Sequence, residues 1–266
     1  MTDQELVEAL ADVWGSTAAV GAELSEPEWK AATDCPGWTA QDVLAHVIGI
    51  EEMILGHPVP ELDLPASEHV RNEVALGNEQ WVESMRTLAG ADVLHRFSAV
   101  TAERLAELRR LDDAGFGADS WTPRGPGTVR DLLAFRIFDS WVHEQDIRLA
   151  VDRPGGLDGP GAAVTLERCV STMGYAIGKK VAPPEGTTVV FDLEPPLPAR
   201  FALGTEGGRA MPLDEVPGSP TVRLSTTGET FVRLACGRTS PEHATLVIDG
   251  DPALGARVAA NLNFLF

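Results

Sequence analysis

Basic side chains are scarce in this sequence: 21 lysines and arginines stand against 40 aspartates and glutamates, a formal net charge of −19. A field of that sign repels phosphate backbones and anionic headgroups, so neither nucleic acid nor a membrane surface is expected as a partner. An anionic substrate would need a local cationic or metal site. Cysteine is rarer still, with Cys35, Cys169 and Cys236 odd in number and far apart, which suits a reducing compartment better than a disulfide framework. No run approaches the ~20 uninterrupted apolar residues of a membrane span. The opening Met1-Thr2-Asp3-Gln4-Glu5 has none of the basic, apolar and small-residue regions of a secretory signal. The cytoplasm is the expected location.

What is present suits a packed globular chain. Its 266 residues are 44% hydrophobic and 23% charged, enough for two domains. Up to about residue 150 the pattern is helical. Residues 4–24 carry Leu6, Leu10, Val13, Trp14, Thr17 and Val20 along one stripe, and 39–55 repeat it with Val43, Leu44, Val47 and Ile48. A proline-rich connection from Pro58 to Pro65 leads to a helical region over 69–110, broken near residues 89–92, and a last helix covers 128–150. Thr39 with Asp42, and Thr128 with Asp131, have the spacing of helix caps. After residue 183 short β-rich runs at 187–193, 199–203, 221–225 and 244–248 are split by Pro and Gly, with a helix from Gly228 to Cys236 and another after Pro252. The expected division is a helical domain over 1–182 and an α/β domain over 183–266; a helix around 160–181 could belong to the first or bridge both.

The chemistry-bearing residues lie on the helix 128–150. Arg136, Asp139, His143 and Asp146 follow at steps of three, four and three, along one face. Their flanks are Leu132, Leu133, Ile137, Phe138, Trp141 and Val142, so turning the stripe to water would expose much apolar surface. It is expected to line an interior. His46 stands in a similar apolar run, where a neutral imidazole must satisfy two ring nitrogens. Asp139 and His143, one turn apart, can hold two positions of a divalent cation, with His46 as third ligand and a fourth position open. The alternative for such an i,i+4 pair is a salt bridge. Asp146 is the residue on the stripe that would orient the His143 ring or act as base, whereas Glu144 is expected to face solvent. Cys35 reads as a small buried or turn residue, and His57, His69, His95 and His243 need no special role.

Two segments carry a resemblance. Asp34-Cys35-Pro36-Gly37-Trp38-Thr39-Ala40-Gln41-Asp42-Val43-Leu44-Ala45-His46 resembles the amino-terminal block of mycothiol-dependent maleylpyruvate isomerases. Arg136-Ile137-Phe138-Asp139-Ser140-Trp141-Val142-His143-Glu144-Gln145-Asp146-Ile147-Arg148 resembles their second block, in the same order and at similar separation. The resemblance implies an α+β protein of two domains, a DinB-like four-helix bundle followed by a small sterol-carrier-like α/β domain. It implies His46, Asp139 and His143 as the metal ligands, with Asp139 where the founding isomerase has the longer Glu. Leu234-Ala235-Cys236-Gly237-Arg238 and Ile248-Asp249-Gly250-Asp251-Pro252 resemble the carboxy-terminal domain, and Arg238 matches an arginine implicated in activity; a helix-end arginine neutralising a carbonyl dipole is the other reading.

The implied function is that of an enzyme holding a divalent metal, zinc being the expected ion, and using mycothiol as thiol cosubstrate. A coordinated thiol loses its proton at neutral pH. Its thiolate can add to an activated double bond and leave again, which isomerises a small electrophile such as maleylpyruvate, or remain attached, which is S-transfer. Arg136 and Arg238 are the expected cations for an anionic electrophile or cosubstrate. The alternative from another class is a non-catalytic, metal-containing binding protein for a small apolar ligand.

Overall fold

In the computed structural model the chain forms two compact units, Met1–Gly156 and Leu157–Phe266. The structure describes residues 1–64 and 73–265; Pro65, His69 and the first turn of the helix expected from residue 69 lie outside the described residues. The first unit contains α1 (Asp3–Ala22), α2 (Glu26–Trp29), α3 (Ala40–Ile54), α4 (Glu73–Met85), α5 (Gly90–Leu108), α6 (Asp113–Phe116), the hairpin β1 (Asp119–Thr122) and β2 (Gly125–Thr128), and α7 (Val129–Ala150). Side chains fix the helix starts. Thr2, Thr39 and Thr128 accept from the amide three residues on, while Glu5, Asp42 and Asp131 reach back to the cap amide. Each box satisfies amides that the first turn leaves unpaired.

Helix α1 packs on α5 and α7, and α3 packs on α4, α5 and α7. Two contacts between helices bring glycine against tryptophan. A β-carbon at Gly90 would fall 2.0 Å from Trp29 Cδ1, and one at Gly49 2.5 Å from Trp81 Cγ. The β1–β2 hairpin, absent from the sequence reading, runs straight into α7 and packs against it.

The second unit contains α8 (Pro160–Tyr175), a π-helical turn (Ala176–Val181), β3 (Thr188–Glu194), β4 (Ala199–Glu206), β5 (Arg209–Pro212), β6 (Val222–Thr227), α9 (Gly228–Ala235), β7 (Val247–Gly250) and α10 (Pro252–Ala260). Its sheet runs β5-β4-β3-β6-β7, antiparallel except for the central β3–β6 pair. Phe191, Phe201 and Phe231 meet in the core with ring centroids 4.8–5.8 Å apart. Strand β5 was also not expected. Its signal is Gly207-Gly208, both at positive φ, which closes a two-residue hairpin pairing Glu206 with Arg209.

The division between units falls after Gly156 and not after the expected residue 182. Helix α8 packs on β5 and α9. A β-carbon at Gly174 would sit 3.0 Å from the Ala210 carbonyl oxygen, so α8 lies directly on the sheet edge and belongs with it. Among the described residues no helix is long and apolar enough to cross a membrane.

Candidate metal centre

Helix α7 turns its polar stripe inward. Arg136, His143 and Asp146 are buried together with Leu132, Leu133, Ile137, Phe138, Trp141 and Val142, so most of the helix surface is enclosed. Asp139 keeps 21% side-chain exposure, against 7% and 8% for His46 and His143. His46 reaches the same point because α3 packs across α7.

His46 Nε2 lies 3.6 Å from Asp139 Oδ2, His143 Nε2 lies 3.7 Å from Asp139 Oδ1, and the two rings are 4.8 Å apart. These gaps are longer than good hydrogen bonds. Two donors each ~2.1 Å from one tetrahedral ion stand about 3.4 Å apart. The triad therefore has the spacing of side chains that converge on a cation, and two imidazoles with a carboxylate form a donor set that suits zinc.

A second cluster backs the first. Asp146 Oδ2 is 2.9 Å from His143 Nδ1 and accepts from Cys35 Sγ at 3.1 Å. That bond assigns the proton of neutral His143 to Nδ1 and turns the Nε2 lone pair toward Asp139 and His46. On the other side, Arg136 Nη1 donates to Asp139 Oδ2 at 2.7 Å while its Nε donates to the buried Glu51 at 2.6 Å. Arg104 Nε binds the other Glu51 oxygen at 3.2 Å. His46 Nδ1 and Arg136 Nη2 are buried with no hydrogen-bond partner among the described residues. Trp38 lies over both imidazoles, 5.1 Å from His46 and 6.5 Å from His143 between centroids.

The charges are shared unequally. Burial opposes a charge on His143, but Asp139 and the contacts with Asp146 and Cys35 outweigh it and push its pKa up to about 10. Burial lowers that of His46, with Asp139 only partly compensating. Burial would raise Asp139, yet Arg136 and His143 hold it well below the usual carboxylate range. The pocket between these rings is thus one that attracts positive charge, whether a proton or a metal ion.

Residues 10–148, more than half of the chain, match the mycothiol maleylpyruvate isomerase N-terminal domain. The chain belongs to the mycothiol maleylpyruvate isomerase family. Residues 163–257 match the family's C-terminal domain, so the two matches lie on either side of the break between the two compact units. A crystal structure of the mycothiol-dependent maleylpyruvate isomerase has a similar fold, with 17% identity over 94% of this chain and 93% of that one and a TM-score of 0.60. A histidine-to-alanine mutant of that enzyme gives 16% identity over 92% and 93% of the two chains and a TM-score of 0.58. A search of the curated proteins finds no match.

In this family member the structure brings together His46, Asp139, His143, Asp146 and Arg136. Arg136 is committed at two nitrogens to Glu51 and Asp139. Arg238 lies in the second unit, half-buried in the turn after α9, where Nη1 donates to the Cys236 carbonyl at 3.1 Å. Glu144, expected at the surface, is 1% exposed. It accepts from Ser16 on α1 and from Arg148, because α1 covers that side of α7. The sequence reading gave no role to Trp38, Glu51 or Cys35. A carboxylate between Ile48 and Ile54 was a usable signal for Glu51, whereas Cys35 is 111 positions from the residue it touches.

Proposed function

We propose that this chain is a divalent-metal-dependent enzyme that uses mycothiol as its thiol cosubstrate, either isomerising a small electrophile of the maleylpyruvate kind or joining the thiol to it through sulfur. The single observation that carries the reading is the inward-facing triad in which Asp139 lies 3.6 Å from His46 and 3.7 Å from His143, in a member of this family. We read the first unit as a DinB-like four-helix bundle and the second as a sterol-carrier-like domain. The zinc ion that His46, Asp139 and His143 would hold supplies, when bound, the Lewis acidity that deprotonates a thiol at neutral pH.

The protein's own groups do the rest. Asp146 accepts a hydrogen bond from His143 Nδ1–H and so keeps Nε2 available as a ligand. Arg136 pins Asp139 Oδ2 and partly neutralises it, which keeps the carboxylate ionised despite burial. Its Nη2, without a protein partner among the described residues, is the donor we assign to an anionic group of cosubstrate or electrophile. Arg238 is assigned the role of the family's activity-linked arginine. Three protein donors are the number found in catalytic rather than structural zinc sites, and His46, Asp139 and His143 would supply them.

The test is metal analysis of the purified protein together with a mycothiol-consumption assay over a panel of electrophiles. About one equivalent of zinc is expected, lost in His46→Ala/His143→Ala, along with turnover above the buffer rate that falls with the metal. A stoichiometric ion retained by the double variant would reject the ligand set. Metal-loaded protein that consumes no mycothiol across the panel would favour a binding protein instead.

A further inference from the structure

The site contains two three-residue clusters that share His143, and their spacings differ in kind. Asp139 stands 3.6 Å from His46 and 3.7 Å from His143, whereas Asp146 meets His143 at 2.9 Å and Cys35 at 3.1 Å. All three members of the second cluster are buried. A thiolate and a carboxylate bound to one tetrahedral ion at about 2.3 and 2.1 Å would lie about 3.6 Å apart. The second cluster is therefore spaced for protons, not for a cation.

We infer that Cys35 is a positioning residue for the metal ligand His143, acting through Asp146. This inference rests on the metal reading of the first cluster. Asp146 Oδ2 takes two donors at once, the His143 Nδ1–H and the Cys35 S–H. Two donors from separate elements, converging on one carboxylate oxygen, restrict the directions of its lone pairs. The thiol thereby sets the angle at which Asp146 meets the imidazole, and with it the direction of Nε2. It also withdraws charge from Asp146, so the carboxylate shares the Nδ1 proton without removing it.

The turn that carries Cys35 is built to hold the sulfur still. The Cys35 amide donates to Thr33 Oγ1 at 3.1 Å, the Trp38 amide to the Cys35 carbonyl at 3.0 Å, and the Thr33 amide to the Trp38 carbonyl at 3.0 Å. Gly37, at φ +82°, allows the chain to close that loop. The same turn delivers Trp38 over both imidazoles, so the loop before α3 addresses the site with two side chains.

The experiment compares wild type, Cys35→Ala and Cys35→Ser, each checked for folding by thermal denaturation. Zinc affinity is measured by chelator competition, and the exchange-protected Nδ1 proton of His143 is read by ¹⁵N-edited NMR with and without zinc. Cys35→Ala should weaken zinc binding about three- to tenfold, the worth of one buried hydrogen bond to a ligand's partner, and shift or lose the Nδ1 proton signal. Cys35→Ser, which keeps a donor, should recover most of both. Unchanged affinity and an unchanged Nδ1 signal in Cys35→Ala would overturn the inference. So would a Ser variant no better than Ala, since packing alone would then explain the loss. If the wild type takes up no zinc, the metal reading fails, while the Nδ1 signal of the ion-free proteins still decides the role of Cys35.

Discussion

Glu51 is fully buried between two arginines, and that arrangement yields a stability prediction with a definite size. Its Oε1 accepts from Arg136 at 2.6 Å and its Oε2 from Arg104 at 3.2 Å, and both arginines are themselves buried. Replacing Glu51 with Leu keeps approximate volume but strands two guanidinium groups away from water. Removing one partner of a buried pair costs about 3–5 kcal/mol. Here the lower end applies, because Arg136 keeps Asp139 at 2.7 Å and Arg104 keeps Glu107 at 2.6 Å. A loss of about 3 kcal/mol lowers the melting temperature of a unit this size by roughly 6–12 °C. Urea titration followed by far-ultraviolet circular dichroism should show the midpoint falling at unchanged slope. In Glu51→Leu/Arg104→Leu the remaining Arg136 is still paired with Asp139, so at least half of the loss should return. A Glu51→Leu cost under ~1 kcal/mol, or a second change that adds to the loss, would refute the account of a desolvated charge cluster.

Three further outcomes follow from the same contacts. Gly90→Ala places a methyl 2.0 Å from the Trp29 ring, so overpacking should cost roughly 2 kcal/mol in urea denaturation despite the better helix propensity of alanine. Asp146→Asn turns the acceptor for His143 Nδ1–H into a weaker one and should lower zinc affinity about 10- to 100-fold by chelator competition, with little change in the circular dichroism spectrum. Asp139→Glu lengthens the proposed acidic ligand by one methylene and should retain one equivalent of zinc at an affinity within about tenfold of wild type; metal analysis finding none would show that the site does not accept the longer carboxylate.

Helices were legible where amphipathic periodicity and capping chemistry agreed. The Thr39–Asp42 and Thr128–Asp131 boxes start α3 and α7 where the sequence places them, since both signals are local. The elements that escaped notice are four residues long and take their stability from neighbours: β1 and β2 from each other and α7, β5 from β4. The domain division was misplaced for a related reason. The periodicity of 160–181 reveals a helix but not its partner, and the partner proved to be β5 and α9.

The candidate site was legible in proportion to how far it is written on a single helix. Arg136, Asp139, His143 and Asp146 share a face by spacing alone, and the apolar flanks gave that face its inward direction. His46 was found because a histidine in an apolar run needs explaining. Glu144 was misjudged because helical spacing tells which residues lie apart from the stripe, not whether another helix covers them; α1 does. Cys35 could not be found at all, since its partner arrives only when the loop before α3 closes on α7.

The resemblance implies a glutamate where this chain has Asp139, which is one methylene shorter. Asp139 faces both imidazoles because both of its oxygens are used: Oδ2 faces His46 Nε2 at 3.6 Å while held by Arg136 at 2.7 Å, and Oδ1 faces His143 Nε2 at 3.7 Å. Arg136 is anchored in turn by Glu51 on α3, the helix that also carries His46. The charge cluster and the triad thus tie the same two helices together, and the reach of the aspartate is set by how closely α3 and α7 are drawn. A change at Glu51 should therefore be felt at Asp139, two hydrogen bonds away, through the arginine they share.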